Sequence, residues 1–138
     1  MASIVPYSLG LDSINAYFTG GTFKVMLLKN TYTPDKTHTK RSSWTAHEVS
    51  GTGYSAGGKT IAVTGVTRST TTTSVAFGSV TWTSANSFTA RYAGIYFSRG
   101  GADTGDEIIG VIDNGADIAA AGGDFVLTPG SPIVFVVP

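Results

Sequence analysis

Hydrophobic residues recur along this chain mostly with a period of two, the mark of half-buried strands rather than helices. From Thr22 to Lys29 (TFKVMLLK), Phe23, Val25 and Leu27 fall on one face, Lys24 and Met26 on the other, and Leu28 follows. Lys59 to Val66 (KTIAVTGV) alternates again, with Ile61 and Val63 against Ala62, Thr64 and Val66. Between Thr73 and Thr83 the pairs Val75–Phe77 and Val80–Trp82 keep the alternation, but the spacing slips by one residue at Gly78-Ser79. That slip predicts a bulge or tight corner between two short strands. Phe88 to Ser98 (FTARYAGIYFS) reads as a long aromatic strand; Glu107 to Asp113, Asp124 to Thr128 and Pro132 to Val137 complete the set, and Trp44 to Val49 is a weaker candidate. One helix is a candidate, Leu9 to Phe18, where Leu11, Ile14 and Phe18 share a face and Asp12 or Ser13 offers a cap; it is short enough to be an extended arm instead.

About eight short strands, separated by turns of Gly, Ser, Thr and Asn, predict an all-β sandwich or barrel. Threonine and the β-branched residues suit a pleated surface and disfavour helix. The 138 residues fit one domain. Residues 1–20 are expected to form an N-terminal arm or short helix and residues 21–138 the β domain. Tyr32 to Ser43 is a polar excursion rich in basic residues, and Gly100 to Asp106 and Gly115 to Gly123 are the other long loops expected.

Composition narrows the function classes. Nine basic and nine acidic residues cancel, and only 13% of positions are charged, well below the roughly 25% of an average soluble domain. That disfavours a basic nucleic-acid binder and a highly charged disordered chain. There is no cysteine, which excludes a disulfide framework, a Cys-ligated zinc and a thiol nucleophile. No apolar run approaches a membrane span, and Met1 to Gly10 lacks the basic and apolar regions of a signal peptide. The expectation is a soluble protein made inside the cell, with neither nucleic acid nor membrane as partner. The charges are segregated, however. Every Lys and Arg lies between Lys24 and Arg99, whereas Asp103, Asp106, Glu107, Asp113, Asp117 and Asp124 follow residue 100. Such a split either pairs with itself within the domain or docks on a partner of opposite pattern.

Candidate chemistry is sparse. Gly53 to Thr60 (GYSAGGKT) matches the phosphate-binding P-loop letter for letter. A P-loop must be followed by a helix, whose N-terminus meets the phosphate; here the strand pattern IAVTGVT follows. His38 and His47 sit alone in polar surroundings, and there is no G-x-S-x-G elbow. Asp103, Asp106, Glu107, Asp113 and Asp117 lack the alternating ligand spacing of a calcium loop, and nothing selects a carboxylate pair for glycoside hydrolysis. No catalytic, cofactor or metal residue is assigned, and an enzyme is not expected. Trp44, Trp82, Tyr92, Tyr96 and Phe97 offer a sugar-stacking platform on paper; Trp82 and Phe97 sit inside strand patterns and are expected in the core, while Trp44, in a polar stretch, fits either role.

Several segments carry a resemblance. TFKVMLLKNTYTPDKTH (Thr22 to His38), EVSGTGYSAGGKT (Glu48 to Thr60), VTW (Val80 to Trp82) and TARYAGIYFS (Thr89 to Ser98), in this order and spacing, resemble a family of small virion proteins of tailed bacteriophages, with weaker similarity through IIGVIDNG and DFVLTP. The resemblance implies an antiparallel jelly-roll capsid cement, or decoration, protein. Such a protein sits on the outer face of the virion shell, binds the major capsid protein and itself as a dimer or trimer, and stabilises the assembled capsid without a cofactor. A tail or head–tail connector protein, or a carbohydrate-binding β-sandwich, are the alternatives. The exposed basic stretch is the expected contact with an acidic partner surface, carried by Lys36, Lys40 and Arg41 with Trp44 beside them.

Overall fold

The computed structural model describes residues 17–35, 37–69, 72–83, 87–130 and 133–136, the last four by their backbone. The described chain is all-β. Its strands are β1 (Phe23–Leu28), β2 (Lys59–Ile61), β3 (Val63–Arg68), β4 (Thr72–Phe77), β5 (Val80–Trp82), β6 (Ser87–Phe97), β7 (Ile108–Ala121), β8 (Phe125–Leu127) and β9 (Ile133–Val136). Every pairing is antiparallel, in sheets ordered β2-β1-β6-β7, β3-β4-β9 and β5-β8. In sequence order, the pairing of β5 with β8 encloses that of β6 with β7, and the pairing of β4 with β9 encloses both. None of the helices among the described residues is long and apolar enough to cross a membrane.

The chain divides into two compact units. One comprises residues 1–21, 62–78 and 129–138; the other comprises residues 22–61 and 79–128. In the first, β4 is the central strand between β3 and β9, Val75 and Thr73 are buried, and Phe18 meets the Phe77 ring edge-on at 6.3 Å. Residues 17–20 are helical; the rest of the helix expected from Leu9 lies outside the described residues.

The second unit is built on β1 and β6, the interior strands of its four-stranded sheet. Their register sets Phe23, Val25 and Leu27 beside Phe97, Ile95 and Ala93 on one face, and Met26 and Leu28 beside Gly94 and Tyr92 on the other. Alternation predicts only the first face to be buried. The structure buries Val25, Met26, Leu27 and Leu28 alike, because β1 is an interior strand covered on both sides. Aromatic residues from β5, β6 and β8 gather in one cluster: Trp82 lies 5.8 Å from Phe125 and 6.5 Å from Phe88, with Tyr54 stacked on it at 6.1 Å. Tyr32 and Trp44 pack with Met26 and Leu28 on the second face.

Three local readings of the pattern are corrected. Trp44 to Val49 is not a strand: Arg41–Ser43 and Thr45–His47 are successive 3-10 turns, which suits a polar stretch whose one large apolar residue turns inward. Gly115 to Gly123 is not simply a loop. β7 runs on to Ala121 and pairs Ile118–Ala121 with Ser87–Ala90, after a break in register that leaves 114–117 bulged around Gly115 (φ +80°). Alanine and glycine have weak strand propensity, so only the long neighbour β6 reveals this extension. Finally, Lys59 to Val66 is two strands in different sheets, divided at Ala62.

Candidate functional site

The polar excursion after β1 folds back onto the second face of the sheet, and one contact sets its position. Trp44 is fully buried, and its indole sits against Gly94 in the middle of β6. A Cβ at residue 94 would strike Cζ3 of the indole and come within 2.6 Å of Cη2 and 2.7 Å of Cε3. Glycine inside a strand marks such a close approach. Trp44 Nε1 donates to the Tyr32 hydroxyl at 3.0 Å, which satisfies the one polar atom of the indole. Removing a large aromatic buried to this degree costs about 3–5 kcal/mol. This corrects the sequence-based assignment of Trp44 to a contact surface: it is part of the core, as Trp82 and Tyr96 are, so these rings form no sugar platform.

Arg41 is likewise committed inward. Its Nε lies 2.8 Å from Oδ2 of Asp106, a carboxylate only 2% exposed. The Asp106 backbone carbonyl accepts from the Arg41 amide at 2.9 Å, and its Oδ1 accepts from the Arg99 amide at 2.9 Å. The guanidinium also stands 5.0 Å from the centre of the Tyr96 ring, on its face. Lys40 is more open: its side chain is 41% exposed and its ammonium lies 3.9 Å from Glu107, which is held chiefly by Arg99 at 2.8 Å. Lys36 lies outside the described residues. Of the four residues singled out from sequence, Lys40 is thus the described one that faces solvent, while Arg41 and Trp44 anchor the loop beneath it.

The segregated charges are largely matched within this unit. Lys40 and Arg99 meet Glu107, Arg41 meets Asp106, and Arg91 meets Asp113 at 2.8 Å. Hydrogen bonds from Arg99 hold the Glu107 carboxyl below its ordinary range, and those from Arg91 do the same for Asp113.

The P-loop look-alike is occupied by its own chain. Glu48 Oε2 accepts from the Gly57 amide at 2.8 Å and from the Tyr54 hydroxyl at 2.7 Å, and Tyr96 donates to the Gly57 carbonyl. Burial, reinforced by the bond to Glu48, pushes the Tyr54 phenol far up. Gly58 (φ +77°) rests on the backbone of β1, where a Cβ would run into the Val25 carbonyl. Lys59 opens β2; its ammonium donates to the Thr81 carbonyl at 2.8 Å and lies 5.9 Å from the Trp82 ring centre. The loop therefore turns its amides and its lysine toward the protein, not toward a phosphate.

A second arrangement had no sequence signal. Tyr32 gathers both histidines, with ring centroids 6.0 Å away for His38 and 5.5 Å for His47. His38 Nδ1 lies 3.2 Å from the Tyr32 hydroxyl, and its Nε2 lies 3.8 Å from Asp35. Tyr32, Asp35 and His38 border a cleft of about 530 Å³ whose walls also include Pro34, Trp44, Ile109 and Val111. The β7 wall is distant in sequence from Tyr32 and His38, so no local motif exposes the cleft; the isolated Gly94 in an aromatic strand was the one available clue. Comparison with family models, curated proteins and solved structures returns no match.

Proposed function

We propose that the chain is a structural virion protein that binds the outside of an assembled phage capsid and stabilises it, as a cement or decoration protein with a jelly-roll fold. One observation carries the reading. The segments that resemble phage virion proteins are β1 with its following loop, the Glu48 to Thr60 loop, β5 and β6, and all of them belong to one compact unit. The resemblance thus follows a spatial unit rather than scattered stretches. Within the second unit, the pairing of β6 with β7 is enclosed in sequence by that of β5 with β8, as in a rolled-up antiparallel hairpin, which supports the jelly-roll assignment.

The physics of the role asks for little chemistry. A protein that binds only the assembled shell stabilises that shell by mass action. Many weak contacts, each bridging neighbouring subunits, add through their high effective concentration. The partners in this reading are the major capsid protein and further copies of the chain as a dimer or trimer, with no nucleic acid or membrane involved. The protein is made in the host cytoplasm and ends on the outer virion surface. The loop that carries Lys40 suits contact: Trp44 and Arg41 fix it at two points, so binding costs little further ordering.

The test mixes purified protein with undecorated shells and counts bound copies by cryo-electron microscopy. Addition in regular lattice positions, with a raised temperature of shell disruption, is the expected result. Lys40→Ser should weaken addition more at low than at high salt, because screening already removes most of that attraction. Protein that never occupies the shell, or is found only at the tail, overturns the reading in favour of a tail or connector role.

A further inference from the structure

β7 ends the sheet β2-β1-β6-β7, and its outer edge from Ile109 to Ala121 makes no backbone bond to any other described segment. Only its start is covered: the Ile108 amide donates to the Thr39 carbonyl at 3.1 Å, and Lys40 bridges Glu107. The chain itself thus begins an additional strand at residues 39–40 and then turns away. Proteins usually guard a long open edge with lysine, proline, a bulge or a cover; here the bulge at 114–117 interrupts the far end and leaves Ile109–Asp113 as the open stretch before it. The stretch Ile108–Ala121 contains no Lys, Arg or Pro.

Two features say what would complete it. First, the apolar cleft is continuous with this edge, since Ile109, Gly110 and Val111 form one wall and Tyr32, Pro34 and His38 the other. A guest residue paired opposite Val111 would share its face and enter the cleft. Second, the charge left unpaired beside this edge is acidic, because Lys40, Arg91 and Arg99 are taken up by Glu107 and Asp113. Asp35 is 48% exposed, Asp117 is exposed, and neither pairs with a Lys or Arg among the described residues; Asp117 accepts from Asn30 and Asp35 from Thr37. A second copy of β7 would bring more carboxylates to this edge.

We infer that the β7 edge is a strand-addition site, and that its occupant is a basic, extended segment of a partner polypeptide with an apolar side chain seated between Tyr32 and Val111. Main-chain bonds to the open edge supply affinity and the cleft supplies selectivity. The inference stands apart from the shell reading, because any partner with such a segment satisfies it.

The experiment titrates the whole protein with a capped eight-residue peptide of alternating lysine and valine, against a control of alternating glutamate and valine. Amide hydrogen exchange and chemical shifts are followed by NMR. The lysine peptide should bind saturably and slow exchange in Ile109–Asp113 by at least about tenfold, while the glutamate peptide does not. Gly110→Lys places a cation on the edge where a Cβ meets nothing within 4 Å, so the fold should hold and peptide binding should fall about tenfold. Asp35→Asn combined with Asp117→Asn should weaken the lysine peptide alone. No protection from either peptide overturns the site, and equal binding of both overturns the charge argument. Self-association that Gly110→Lys abolishes, without peptide binding, assigns the edge to a second copy and overturns the proposed occupant.

Discussion

Gly94→Ala is the substitution that most directly probes how the loop is anchored. It adds one methyl group to the middle of β6, where a side chain would ordinarily help. Relieving a strand-interior glycine of its entropy cost should gain roughly 0.5–1 kcal/mol. Here the new Cβ would sit against the indole of Trp44, within 2.6 Å of Cη2 and 2.7 Å of Cε3. The indole cannot slide away cheaply, because it is fully buried and tied to Tyr32 by a 3.0 Å hydrogen bond. Overpacking of this kind typically costs about 1–3 kcal/mol. Gly94→Ala should therefore destabilise by about that much, read from urea unfolding followed by circular dichroism. Trp44→Leu removes the atoms that clash, so in that background Gly94→Ala should be neutral or stabilising. The double-mutant cycle should then show a coupling of at least about 1 kcal/mol between the two positions, as contacting residues do. A native-background Gly94→Ala within about 0.5 kcal/mol of wild type, or one with equal effect in both backgrounds, refutes the placement of Trp44 on β6.

Other perturbations follow from the same geometry. Asp106→Ala leaves the mostly buried Arg41 guanidinium without its carboxylate and should cost about 3 kcal/mol in chemical denaturation, where a surface ion pair would cost under about 1 kcal/mol. Lys59→Ala removes one exposed bond to Thr81 and should change stability by less than about 1 kcal/mol, and calorimetry should find no specific binding of magnesium ATP to either form. Because Arg99 depresses the Glu107 pKa, that carboxylate contributes stability above its ordinary value of 4.5 and loses it as pH falls through the lowered folded value. Thermal melts between pH 6 and pH 3 should therefore show a slightly shallower acid loss in Glu107→Gln than in wild type, an effect kept small by solvent exposure.

Much of this architecture was legible in the chain alone. Alternation located β1, β4, β5 and β6 nearly to the residue, and the slip at Gly78-Ser79 falls between the end of β4 and the start of β5. The strand pattern after Thr60 was enough to set aside the P-loop match, and the structure shows Lys59 bonded to Thr81 instead. Strand existence is local: it depends on which residues fit a pleated surface with one face apolar, and adjacent residues report that directly.

What the tertiary structure decided is pairing, and everything that depends on a partner. Alternation could not reveal that β1 is covered on both faces, because Met26 and Leu28 look like outward positions until Trp44 and Tyr32 arrive above them. Residues 114–121 have weak intrinsic preference for a strand, and they become one because β6 is long enough to receive them. Arg41 belongs to Asp106 across 65 positions of sequence, a relation that no local spacing encodes. An exposed basic loop and a buried anchoring arginine are the same letters in the chain. Burial is a property of what lies opposite, and the long-range pairing of strands determines what that is.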